Sequence, residues 1–141
     1  ASALPNADGQ AYVQPARDMP LYAAASGKIL LALQDDAFVE EYLKFARHAF
    51  TAQTKTDAAA IRADIAEARA RHVAICDNEF DPGILSFATP VRDSRTGEPY
   101  ALAVFGLKER FGKTDRATIE TALIAAGQKL SRTLRGKAAS A

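Results

Sequence analysis

The chain has 141 residues, 48% of them hydrophobic and 25% charged, which fits one domain able to bury roughly two thirds of its unfolded surface and argues against disorder or a fibrous scaffold. Eighteen basic against seventeen acidic residues, with no concentrated basic run, argue against a free-standing nucleic-acid binder. The single cysteine, Cys76, excludes an internal disulfide, and no apolar run nears the ~20 residues of a bilayer span, so a cytoplasmic domain without membrane contact is expected.

Residues 1–17 are rich in Pro, Gly, Asn and Asp and read as an arm whose only strand-like run is Ala11-Tyr12-Val13. Pro20 suits the start of a helix over 21–33, apolar nearly all round, with Ser26-Gly27 as an alternative start. Asp35 or Asp36 can cap a second helix with Phe38, Tyr42, Leu43 and Phe45 as its apolar stripe. Thr56 can cap a third, running to about His72, with Ile61, Ile65 and Ala68 inward and Arg62, Asp64, Glu67, Arg69 and Arg71 toward water. The period then changes. Residues 73–76, 84–91 and 100–107 predict three strands, joined by Asp81-Pro82-Gly83 and by a turn over 93–98. Thr114 or Asp115 can cap a final helix carrying Ile119, Leu123, Leu130 and Leu134, with Gly136 as its stop and 137–141 as a disordered tail. This order predicts an α+β domain over 18–136 with an antiparallel meander.

Alternation gives the strands two faces. Val73, Ile75, Leu85, Phe87, Leu102 and Val104 form a bulky one. Ala74, Cys76, Ile84, Ser86, Ala88, Ala101, Ala103 and Phe105 form a mostly small one. A small face either lets a helix backbone approach closely or leaves a cavity for an organic ligand, and pattern alone does not decide between them.

No enzyme signature emerges. Ser26-Gly27-Lys28 lacks the glycine spacing of a phosphate-binding loop. His48 and His72 lack partners at metal-ligand spacing, so no metal or cofactor is expected. Cys76 could serve as a nucleophile, and Asp77 with Glu79 as an acid–base pair, but an inert strand cysteine and two loop-capping carboxylates are the simpler reading.

Three segments carry a resemblance. Pro20-Leu21-Tyr22-Ala23-Ala24-Ala25-Ser26-Gly27-Lys28-Ile29-Leu30-Leu31-Ala32 resembles the segment opening the pocket helix of IclR-type bacterial regulators. Residues 73–83, continuing through Ile84-Leu85-Ser86-Phe87-Ala88-Thr89-Pro90-Val91-Arg92-Asp93, resemble that family's loop and following strand, and residues 101–106 its next strand. The matches run in order from about residue 13 to 135.

The resemblance implies a GAF-like effector-binding domain: an antiparallel sheet flanked by helices, non-enzymatic, forming dimers or tetramers. DNA is read by a separate N-terminal winged helix-turn-helix outside this chain. It implies a small organic acid held between the backbone at Ala25, Ser26 and Gly27 and the side chains of Cys76, Ser86, Ala103 and Phe105. Asp77, Glu79 and Gly83 are expected to structure the loop over the pocket. Cys76, Ala103 and Phe105 stand where better-known members carry acidic or hydroxyl groups, which favours a larger or aromatic acid over a very small one. The family also has a linker helix and two strands before the Pro20 segment. Seventeen loop-like residues cannot supply these, so a fragment or reduced variant with an exposed sheet edge is expected. A ligand-free oligomerisation module and a small enzyme using Cys76 or Asp77/Glu79 are the alternatives.

Overall fold

The computed structural model describes residues 17–139, with side chains to residue 136. The strand-like Ala11-Tyr12-Val13, most of the arm and the last two residues lie outside the described residues. The elements are α1 (Ala25–Ala32), α2 (Asp36–Tyr42), α3 (Ala58–Arg71), β1 (Ala74–Asp77), β2 (Ile84–Arg92), β3 (Pro99–Leu107), α4 (Lys108–Phe111) and α5 (Arg116–Ala139). The strands form one antiparallel sheet in the order β1-β2-β3, an α+β architecture.

Both faces of the sheet follow the alternation. Val73, Leu85 and Phe87 bury against Leu123 of α5, with Ile75, Leu102, Val104, Phe111, Ile119 and Ile124 around them. Helix α5 comes close because Gly127 has no side chain: a Cβ there would lie 2.6 Å from Thr89 Cγ2 and 3.2 Å from the Pro90 carbonyl oxygen. On the other face α1 lies across the sheet with α3 beside it. Ala25, Ile29, Ile61, Ile65 and Ala68 there share a core with Ala74, Cys76 and Ala88. Fully buried aliphatic side chains of this kind are worth ~1.5–3 kcal/mol each, so the two cores hold the helices on the sheet from both sides.

Several boundaries differ from the sequence reading. Residues 21–23 form a turn in which the Ala23 and Ala24 N–H groups both donate to the Pro20 carbonyl, so α1 begins at Ala25. In α2, Asp35 caps by accepting the Phe38 N–H at 2.8 Å, but Val39 and Leu43 are the buried residues, while Phe38 and Phe45 are exposed. Asp57 rather than Thr56 caps α3, its carboxylate accepting the Ala60 N–H at 3.0 Å, and His72 ends that helix in the left-handed region at φ 58°. Asp115 caps α5 by accepting the Thr118 N–H at 3.2 Å. Gly136 does not stop α5, which continues to Ala139. One glycine costs only ~1 kcal/mol of helix propensity against alanine, and the alanines after it are strong helix formers. Leu130, expected on the buried stripe, is exposed.

A candidate effector site at the start of helix α1

Three of the helices open on a capping aspartate; α1 does not. Ala24 occupies its N-cap position in extended conformation and brings no side-chain oxygen. The Lys28 N–H reaches the Ala24 carbonyl at 2.9 Å, but the amides of Ala25, Ser26 and Gly27 have no hydrogen-bond partner among the described residues. Ala25 and Gly27 are buried and Ser26 is half-buried. A buried amide without a partner costs ~1–3 kcal/mol, and a helix start carries partial positive charge. An anion seated there would meet both deficits. Gly27 is required by packing too: a Cβ at this position would lie 2.5 Å from Leu21 Cα and 2.8 Å from the Pro20 and Leu21 carbonyl oxygens.

The sheet places Cys76, Ser86 and Phe105 in one cross-strand row and Ala74, Ala88 and Ala103 in the next. Helices α1 and α3 bury Ala74, Cys76 and Ala88, whereas Ser86 is half-buried and Ala103 and Phe105 are exposed. Small residues thus let α1 cross the sheet as far as Ala101 of β3, while Ala103 and Phe105 of that strand stay exposed. The seven expected contact residues divide accordingly. Ala25, Gly27 and Cys76 lie in the core; Ser26 and Ser86 are at its margin; Ala103 and Phe105 stand on the open strand. Burial pushes the Cys76 thiol up, away from the thiolate that an activated nucleophile needs.

The sequence reading missed the group that organises this region. Lys28, 2% exposed, donates from Nζ to both carboxylate oxygens of Glu79 at 2.8 Å and to the Ile75 carbonyl at 2.9 Å. Asp64 Oδ2 lies 2.8 Å from the same Nζ as an ion pair outside hydrogen-bonding geometry, and its Oδ1 takes Lys55 at 2.5 Å. Asp64 therefore turns inward, not to water as helix periodicity suggests. Burial works to raise its carboxyl, but Lys28 and Lys55 outweigh that and hold it below the ordinary carboxylate range. The available signal was a lysine inside an otherwise apolar helix, which has to find carboxylates if it is to be buried.

Glu79 belongs to the loop joining β1 to β2, and its neighbours bond in every direction. Asp77 takes Lys108 at 2.7 Å and Arg116 at 2.8 Å; these cations overcome the raising effect of burial and hold its carboxyl low. Asp77 and Glu79 thus sit in separate ion pairs. Asn78 adopts φ 57° and its Oδ1 accepts the Gly83 N–H at 2.6 Å, with Gly83 itself at φ 76°. Thr51 and Thr54 donate to the carbonyls of Asn78 and Glu79. Arg17 grips Asp81 through two bonds of 3.0 and 3.1 Å and lies 4.3 Å over the Phe80 ring.

Residues 5–132 match the family described as bacterial transcriptional regulator IclR, C-terminal. The Pca regulon regulatory protein of Pseudomonas putida is 32% identical over 123 residues, covering 84% of this chain and 41% of that protein. A regulator of the same type from Silicibacter sp. TM1040 superposes with a TM-score of 0.82 at 33% identity, covering 89% of this chain and 50% of that one. An IclR homologue from Microbacterium hydrocarbonoxydans, solved with 4-hydroxybenzoate, shares the fold at a TM-score of 0.78 and 21% identity, covering 91% and 51%. The chain spans about half or less of the length of each, from 41% to 51%.

Two predictions come from the ion cluster. Removing one partner of a buried pair strands the other charge. Lys28→Met is expected to destabilise by about 3–5 kcal/mol in chemical denaturation, and Lys28→Met/Glu79→Leu to recover part of that loss; a double variant showing the summed losses of both singles would contradict the coupling. The folded-state values of Asp64 and Asp77 are depressed, so their contribution is complete above about pH 4 and fades as pH falls through the folded values. Asp64→Asn should therefore be less stable than the parent near neutral pH, with the gap closing toward acid. A gap that widens on acidification would contradict this.

Proposed function

Given that this chain belongs to the IclR family of bacterial transcriptional regulators, as its C-terminal domain, we propose that it senses a small organic acid and passes that signal to a separate N-terminal winged helix-turn-helix. The acid's carboxylate sits at the amides of Ala25, Ser26 and Gly27, and its body lies along the face of Cys76, Ser86, Ala103 and Phe105. The observation that carries the reading is the set of partly buried, unpartnered amides at the uncapped start of α1. Donors held in place by the fold bind an anion without an ordering cost.

The small-residue face is apolar apart from Ser86 and the buried Cys76, a composition that suits an aromatic ring better than a small hydrated acid. The bound 4-hydroxybenzoate in the Microbacterium homologue is a ligand of that class. Signalling then needs only that the ligand prefer one arrangement of sensing domains in a dimer or tetramer, which biases the DNA-binding heads by population shift. A catalytic role has less behind it: the relatives are named transcriptional regulators, the Cys76 thiol is pushed up, and Asp77 and Glu79 are committed to separate cations.

A thermal-shift series with 4-hydroxybenzoate, benzoate and short aliphatic carboxylates tests this. A ligand that binds only the folded form adds about 2.7 kcal/mol at a hundred times its Kd. The expected outcome is a saturable rise in Tm with the aromatic acids, reduced in Ser86→Leu and in Ala103→Leu, both of which fill the open face. Aliphatic acids alone raising the Tm would overturn the aromatic preference. Equal shifts in parent and both variants would move the site elsewhere.

A further inference from the structure

On the α5 side of the sheet, opposite α1, a groove of about 430 Å³ runs between α5 and the end of β2. Ile124 and Pro90 are among the residues lining it, together with Arg92, Arg132 and Arg135. No carboxylate lines it. Among the described residues most arginines are committed: Arg17, Arg62, Arg69, Arg71, Arg95 and Arg116 to carboxylates, and Arg47 to backbone carbonyls. Arg92, Arg110, Arg132 and Arg135 have no side-chain partner there, and three of these four, all exposed, line this groove.

The frame beneath them is tied down. Ser131 Oγ accepts the Arg92 backbone N–H at 3.1 Å and donates to the Gly127 carbonyl at 2.9 Å, which fixes α5 against the end of β2. Thr89 Oγ1 donates to the His72 carbonyl at 2.7 Å. The rim is thus set by backbone-anchored contacts while the guanidinium groups are left over. Three like charges in one groove repel one another without a counter-charge, and planar guanidinium forks match phosphate and carboxylate oxygens in paired hydrogen bonds. The groove is open to solvent, and its volume of about 430 Å³ has room for a compact ligand.

We propose that this groove is a second ligand site, which takes a compact organic polyanion carrying a phosphate or several carboxylates. One carboxylate, enough for the amides at α1, leaves two of these three cations uncompensated. The site is independent of the effector site and gives the domain a second chemical input.

The test uses isothermal titration of the purified chain with pyrophosphate and with citrate at low salt and at about 150 mM salt, where screening removes loose surface binding. Saturable one-to-one binding that survives the higher salt is expected, weakened about tenfold or more in Arg132→Gln/Arg135→Gln. Arg110→Gln, which removes an unpartnered arginine elsewhere, should leave it unchanged. Preference between the two probes tells phosphate from carboxylate chemistry. Binding should persist in Ser86→Leu and with 4-hydroxybenzoate present, so failure of the effector reading leaves this one standing. Absence of binding, equal weakening in Arg110→Gln, or loss at the higher salt would overturn the proposal. So would binding of duplex DNA through Arg132 and Arg135 with no affinity for either small polyanion.

Discussion

The ammonium of Lys28 sits among oxygens from three parts of the chain: Glu79 in the loop after β1, Asp64 on α3 and the Ile75 carbonyl of β1. A charge buried without such partners is among the most unfavourable states a fold can hold, and these groups meet only when α1, α3 and β1 are already in their final places. The nonpolar contacts of α1 would tolerate small slides along a face of alanines. The ion cluster does not. Buried ion clusters generally gain little over apolar replacements, and this one ties α1, α3, β1 and the loop after it to one another.

These ties bear on the candidate site. A helix start with unpartnered amides is useful to a ligand only if it cannot relax to satisfy itself. Gly27 pressed against the Pro20–Leu21 backbone and Lys28 anchored to Glu79 hold the first turn of α1 from two sides. The loop carrying Glu79 is in turn tied to α4 and α5 through Asp77, to the α2–α3 connection through Thr51 and Thr54, and to Arg17 through Asp81. A chain of direct contacts thus links the first turn of α1 to Arg17 by way of the β1–β2 loop.

Much of this was legible from local pattern. Strand alternation sorted the two faces correctly because the face a residue takes depends only on parity, whereas the Cys76–Ser86–Phe105 row needs the register, which alternation alone does not fix. Asp35 and Asp115 announced their helices because a cap acts within three residues. What escaped was nonlocal. The partnership of Lys28 with Glu79 spans 51 positions, and Asp64 looked solvated because its helix face could not reveal the lysines opposite. How far α1 covers the small face was equally hidden, since alanines permit close approach without saying where it stops. The left-handed Asn78 and the short α4 depend on the bonds their neighbours make, and Gly136 was overruled by the helix on both sides.

Under the proposed function, an organic acid completes the hydrogen bonding at the start of α1. Amide proton chemical shifts of Ser26 and Gly27, followed by ¹⁵N-resolved NMR during titration with 4-hydroxybenzoate, address it directly. The account predicts saturable downfield movement of both amides, larger than that of the already bonded Lys28 amide, together with slowed exchange with solvent. Saturation of the domain by the acid with the Ser26 and Gly27 amides unmoved would contradict it.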